Sequence, residues 1–183
     1  SLKDYALALD RLRQWNGDLL PTFTFIEPQD LHDPEALGHD QPYGWPLAND
    51  RPWTPDPTPK QVKNLLWVSV VHGAKAISHF QYFCPIFPEQ LDVIQAFKKE
   101  ITELTDVVLG PETGVRVTKT LLTPYPVGEG RIDFMCRVHL GQLYVFAVSL
   151  EATETVKASL AVQGVGVAGS VLVYGEGRVI DCQ

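Results

Sequence analysis

The sequence predicts an α/β part over residues 1–110 followed by a small antiparallel β-sandwich over residues 111–183. Two observations lead to this division. Before Gly110, segments with apolar residues at helical spacing alternate with short, continuously apolar runs, which is typical of βαβ units and a parallel sheet. Beyond Gly110, apolar residues occupy every second position in short runs separated by glycine turns, which is typical of antiparallel strands.

The chain opens with an amphipathic helix and a buried strand. Apolar residues at steps of three and four from Leu2 to Leu12 predict the helix, and Gly17 ends it. The strand follows over residues 20–27 and finishes on the carboxylate of Glu27. A carboxylate at the C-terminal end of a parallel strand, followed by a long loop, is where α/β barrels carry their catalytic groups.

A capping box predicts a second helix over residues 59–72. Thr58 is the N-cap residue, a proline occupies the first helical position, and Gln61 lies three residues after the cap. Gly73 ends the helix because it adopts positive φ without strain. His72, in the last turn, is interpreted as a structural residue whose positive charge suits a helix C-terminus.

A buried strand over Ala76–Phe83 and a third helix from Pro88 complete this part, so that the order is helix, strand, helix, strand, helix. Parallel strands are buried on both faces, and two of them alone leave apolar faces and sheet edges open to water. We therefore expect either that further strands of a barrel lie outside this chain, or that a second copy completes it. The second case is a homo-oligomer formed through the open barrel edges.

The alternating pattern of the second part predicts short strands joined by glycine turns. A sheet with one apolar and one polar face buries the apolar face against a second sheet, which gives the sandwich. The predicted strands are Val115–Leu121, Ile132–Val138, Leu143–Val148 and Val171–Val173.

Composition excludes several classes of function. The 15 basic and 22 acidic residues give a net charge of −7 and form no basic stripe, so no nucleic-acid partner is expected. No apolar run is long enough to cross a membrane, so no membrane partner is expected. Cys84, Cys136 and Cys182 lack metal spacing and are interpreted as free thiols. We predict no metal and no cofactor.

The start of the chain, SLKDYALALDRL, lacks the pattern of a signal peptide. It also lacks an initiator Met and begins inside a predicted helix, which indicates a truncated N-terminus. Both a cytoplasmic and a secreted origin therefore stay open.

The long loop over residues 28–58 contains seven prolines together with Tyr43, Trp45 and Trp53. Loops of this length in compact domains are usually functional or disordered. Proline stiffens a loop, and flat aromatic faces stack on pyranose rings, so Trp45 and Trp53 are predicted to contact a sugar. The alternative is that both side chains only pin the loop to the rest of the domain.

Four consecutive features carry a resemblance to a known family. They are the strand TFIE ending at Glu27, the Pro/Trp loop, the segment LLWVSVVHGAKAI over residues 65–77, and the strand ISHFQYF over residues 77–83. Together they resemble the seventh and eighth βα units of retaining glycoside hydrolases with a TIM-type (β/α)8 barrel, in particular β-galactosidases of the family-42 type. The resemblance implies that the chain holds the last βα units of such a barrel, followed by the accessory β-sandwich.

The resemblance also implies roles for individual residues. Glu27 matches the nucleophile of a retaining hydrolysis of O-glycosidic bonds, and carbohydrate is the expected partner. Tyr82 falls where the family has a Trp on the floor of the sugar subsite. His79 and Gln81 share one face of their strand at period two and are candidates for hydrogen bonds to sugar hydroxyls.

The acid/base residue of the family is a Glu that follows an Asn, and no Asn-Glu pair occurs in this chain. The resemblance therefore implies a glycosidase-like fragment that lacks its acid/base residue and has little or no turnover on its own. The alternative is a catalytically silent fragment that binds carbohydrate or another protein.

Overall fold

The computed structural model describes residues 2–26, 57–79, 88–111, 113–121, 132–151, 156–163 and 169–181. Within these ranges the chain forms four helices and eight short strands, and the strands form four separate two-stranded sheets. The helices are α1 (Leu2–Asn16), α2 (Pro59–Val71), α3 (Pro88–Glu103) and α4 (Thr105–Val108). The strands are β1 (Thr22–Ile26), β2 (Ala74–His79), β3 (Arg116–Leu121), β4 (Ile132–His139), β5 (Gln142–Ser149), β6 (Ala158–Gln163), β7 (Ser170–Val173) and β8 (Arg178–Asp181).

The capping box predicted for α2 is confirmed. The backbone N–H of Gln61 donates to Thr58 Oγ1 over 3.3 Å, and the backbone N–H of Thr58 donates to Gln61 Oε1 over 2.7 Å. These two bonds satisfy donors that have no partner within the helix. Gly73, with φ of 82°, follows the helix and lets the chain turn directly into β2.

Strands β1 and β2 pair in parallel, with α2 as the connection between them in the described part of the chain. In β1 the side chains of Thr22, Thr24 and Ile26 are buried, whereas Phe23 and Phe25 are exposed. The side chains on one face of β1 are therefore buried, whereas the rings on its other face are about half exposed.

A shared apolar core joins the end of β1, the helices and the β4–β5 hairpin. Trp67 on α2 stacks on Phe146 of β5, with ring centroids 5.7 Å apart, and meets Phe97 of α3 edge to face at 5.3 Å. Val62 and Leu66 are almost completely buried on α2, and each contributes about 1.5–3 kcal/mol through burial. The buried members of this core are Ile26, Val62, Leu66, Val70, Phe97, Leu104, Val107, Val108 and Met135.

The other antiparallel pairs are β3 with β6 and β7 with β8. The β3–β6 pair joins segments that flank the β4–β5 hairpin in sequence, with Arg116 opposite Gln163. The β7–β8 hairpin contacts α3 through the Tyr174 hydroxyl, which donates to Glu103.

The predicted fold class is wrong. We expected the last βα units of a TIM-type barrel followed by an antiparallel β-sandwich, but in the described residues no sheet has more than two strands and no barrel is formed. Two parallel strands cannot close a barrel, because closure needs continuous pairing around a ring. Among the residues that the structure describes, the apolar side of the β4–β5 hairpin packs on α2 and not on a second sheet.

Candidate functional site

The C-terminal ends of β1 and β2 lie at the same edge of the parallel sheet. Ile26, the last residue of β1, pairs with His79, the last residue of β2. Glu27 is the next residue in the sequence after Ile26. The parallel register therefore brings Ile26 and His79 together at one edge of the sheet.

A chain of hydroxyl groups fixes β1 against the two helices that cover it. Tyr5 Oη on α1 lies 2.8 Å from Thr24 Oγ1 on β1 and 2.8 Å from Ser69 Oγ on α2. Ser69 donates its own proton to the Leu65 carbonyl over 2.8 Å. Because each hydroxyl has a single proton, this arrangement makes Tyr5 the donor to Ser69 and the acceptor from Thr24, whose other acceptor is the Phe25 carbonyl at 3.5 Å.

His79 lines a groove of about 400 Å³ between β2 and the helices α2, α3 and α4. Its Nε2 atom is buried and has no hydrogen-bond partner within the part of the chain that the structure describes. Burial lowers the pKa of His79, so the ring is neutral at neutral pH. Most of the groove is apolar, with Ile77, Ile94, Phe97, Ile101, Val108 and Leu109 among its walls.

The other five candidate residues lie outside the described residues. They are Glu27, Trp45, Trp53, Gln81 and Tyr82. Their roles as nucleophile and as sugar contacts stay predictions, and the structure gives the position of His79 alone among the six candidates.

A second polar cluster lies at the opposite end of β2, around His72. Its Nδ1 lies 2.7 Å from Asp10 Oδ1 on α1, and its Nε2 lies 3.1 Å from Asp133 Oδ2 on β4. The side chains of His72 and Asp133 are only 7% and 9% exposed. Lys119 on β3 also contacts Asp133, with Nζ 3.2 Å from Oδ1.

Sequence reasoning missed this cluster because its members are far apart in the chain. Asp10 and Asp133 lie 62 and 61 residues from His72, so no local spacing relates them. The interpretation of His72 as a helix-terminal residue was incomplete: it is the C-cap residue of α2, and its ring also connects α1 to β4. The one available signal was a histidine beside a glycine at a helix end, which by itself does not identify partners.

The exposed rings of β1 lie beside exposed apolar side chains near the end of α1. Phe23 and Phe25 are 51% and 53% exposed, and their rings meet edge to face at 4.7 Å. A hollow of about 350 Å³ lies beside them, between Trp15 and Phe23. We call this surface the apolar face; it consists of Leu12, Trp15, Leu19, Leu20, Phe23 and Phe25, all exposed.

Neither a metal centre nor a membrane-spanning helix is found among the described residues. Within those ranges no group of three or more His, Cys, Asp and Glu side chains is arranged to hold a metal ion. None of the described helices is long and apolar enough to cross a bilayer.

In comparisons with known proteins, no family model matches the chain, and neither a curated protein nor a solved structure matches it significantly.

Proposed function

We propose that this chain carries half of the active site of a retaining glycosidase, with Glu27 as the nucleophile that attacks O-glycosidic bonds of carbohydrate. The observation that supports the proposal is the parallel register of β1 and β2, in which Ile26 pairs with His79 at the C-terminal edge. In open parallel sheets ligands bind beyond the carboxyl ends of the strands, and Glu27 is the residue that follows Ile26 in the sequence.

A retaining glycosidase needs two carboxyl groups. One attacks the anomeric carbon and forms a glycosyl-enzyme ester while the leaving-group oxygen departs; the other, about 5–5.5 Å away, protonates that oxygen and later activates water. Since this chain contains no Asn-Glu pair, we expect the second carboxyl to be missing from these 183 residues. The chain alone is then expected to form the ester only with substrates whose leaving group departs without protonation.

Trapping of the ester tests this proposal. The purified chain is incubated with 2,4-dinitrophenyl 2-deoxy-2-fluoro-β-galactoside, whose leaving group needs no acid and whose fluorine slows hydrolysis of the ester. We expect the intact mass to rise by one fluorosugar, and peptide mapping to locate the adduct on Glu27.

Two variants control the trapping experiment. Glu27→Gln is expected to abolish the adduct while the circular dichroism spectrum stays unchanged. Glu176→Gln alters an exposed carboxylate in the β7–β8 turn and should leave labelling intact. Absence of an adduct on the unmodified chain, or an adduct at another carboxylate, would contradict the assignment of Glu27.

A second candidate function is protein binding, and the apolar face favours it. Large apolar side chains grouped on one exposed surface are typical of association sites rather than of free protein surface. The edges of the β1–β2 sheet also have no strand partner among the described residues, and open edges favour pairing with another chain. We take a second copy of this chain as the partner, because the contact of two identical faces is self-complementary.

A further inference from the structure

The bonds of His72 require one more proton than a neutral imidazole carries. A neutral ring has one N–H donor and one acceptor nitrogen, and an ionised carboxylate only accepts. Yet Nδ1 lies 2.7 Å from a carboxylate oxygen of Asp10, and Nε2 lies 3.1 Å from one of Asp133. Both bonds form together only if His72 is an imidazolium ion or if one of the carboxyls is protonated.

The surroundings favour a proton on the ring. The carboxylate of Asp133 is also bonded to the ammonium of Lys119 over 3.2 Å, which favours its ionised form. Asp10 is one-third exposed, so water solvates its charge. Burial by itself lowers the pKa of His72, but the hydrogen bonds to Asp133 and Asp10 and their charges outweigh it, so the pKa is raised above its ordinary value of 6.5.

The charged groups around the ring come from three elements. Asp10 and Arg13 belong to α1, Asp133 to β4 and Lys119 to β3. The guanidinium of Arg13 lies over Gly73, where an added methyl carbon would be 3.0 Å from Nη1. Arg13 is bonded to Asp18 over 2.7 Å, so its charge is partly neutralised.

We propose that His72, when protonated, acts as a clasp: its bonds to Asp10 and Asp133 hold the β4–β5 hairpin on the helices. When the ring is protonated, it ties α1 and the end of α2 to β4. When the ring loses a proton, one nitrogen lone pair faces a carboxylate oxygen at close range. The bond to Asp133 is expected to be lost first, because it is the longer one and because Asp133 keeps Lys119 as a partner.

The sign of the pH dependence follows from this geometry. The folded state binds the proton of His72 more tightly than the unfolded chain does. The stabilisation is therefore complete below pH 6.5, the ordinary pKa of histidine, and it is lost as the pH rises through the higher pKa of His72 in the folded protein. A single proton changes the unfolding equilibrium constant by at most about tenfold per pH unit in that window. Above the window the clasp adds nothing.

Urea unfolding of the whole chain between about pH 5.5 and pH 9, a range that brackets the pKa of an ordinary histidine, tests the clasp. We expect the unfolding equilibrium constant to increase as the pH rises above 6.5, the ordinary pKa of histidine. His72→Gln and Asp133→Asn should flatten that dependence, because a glutamine side chain does not titrate in this range and an asparagine amide donates to a neutral ring. His139→Gln, which changes a histidine at the other end of β4, should leave the slope intact.

Direct titration of the His72 ring in the unmodified chain is a second test, which does not depend on the folding of any variant. In the unmodified chain, the NMR signals of the His72 ring should titrate above the ordinary value of 6.5. At pH values above that titration, the amide hydrogens of β4 and β5 should exchange faster with solvent once the intrinsic exchange rates are taken into account. A ring that titrates at or below the ordinary value, or a pH slope unchanged in His72→Gln, overturns the clasp.

Discussion

Leu140 has the most unfavourable backbone conformation among the described residues. It lies in the two-residue turn between β4 and β5, where His139 pairs with Gln142, and it adopts φ of 49°. Gly141, with φ of 76°, completes the turn. Positive φ at both central positions defines a type I′ turn, for which Asn-Gly is the preferred sequence. Leucine is strained there, and its side chain is 89% exposed, so packing does not offset the strain.

We therefore expect Leu140→Asn to stabilise the protein by about 1 kcal/mol, because Asn tolerates positive φ better than Leu. The measurement is the urea concentration at the midpoint of unfolding. Leu140→Ala is the matched control, because it removes the exposed apolar side chain but keeps the backbone penalty. Its free energy of unfolding should stay within about 0.5 kcal/mol of the value for the parent chain. Equal gains in both variants would show that backbone strain is not the cause.

At the scale of single elements, the hydroxyl chain through Tyr5 connects α1, β1 and α2 at one point. Tyr5→Phe keeps the ring and removes the bridge, leaving Ser69 without its donor and Thr24 without its acceptor at Tyr5. We expect a loss of about 1–3 kcal/mol of stability, the cost of buried polar groups that lose their partners.

Tyr144→Phe provides the comparison for Tyr5→Phe. Its hydroxyl bonds Gln142 over 3.2 Å on the surface, so its removal should cost little. Urea denaturation of both variants measures the difference. Similar losses at the two positions would mean that the Tyr5 bridge contributes no more than a surface hydrogen bond.

Elements defined by local chemistry were predicted well. The capping box of α2 depends on Thr58 and Gln61, three residues apart, and both predicted bonds are present. The strand after α2 begins at Ala74 instead of Ala76, because Gly73 turns the chain within a single residue. Strand β6 was missed, because its register depends on pairing with β3, about 40 residues away, rather than on its own short sequence ASLAVQ.

At the scale of the whole molecule, the number of strands in a sheet is the property that local patterns did not predict. Periodicity shows that a segment is extended and which of its faces is apolar, but long-range hydrogen bonding decides how many strands join. The same limit applies to the site. The sequence identified Glu27 as a strand-end residue and placed His79 within the second strand, whereas Asp10, His72 and Asp133 are brought together only by tertiary packing.

The apolar face gives a prediction about association. We expect the chain to form dimers or larger species at micromolar concentration, and Phe23→Ser with Phe25→Ser to shift it toward monomer, because both rings are about half exposed and belong to neither buried cluster. Sedimentation velocity over a series of concentrations measures the change.

The control for association replaces a different pair of exposed apolar residues. Val171→Ser with Leu172→Ser alters β7, away from the β1–β2 sheet, and should leave the sedimentation profile unchanged. A monomeric parent chain, or equal effects of the two double variants, would rule out the apolar face as the contact surface.

The arrangement of β3 and β6 around the β4–β5 hairpin also has a kinetic consequence. The hairpin closes through a two-residue turn, and such structures form within about 1–10 microseconds. The β3–β6 pair must bring together segments from either side of the hairpin, and the entropic cost of closing that loop is lower once the hairpin has shortened it. We expect the hairpin to form first during refolding and the flanking pair to assemble around it.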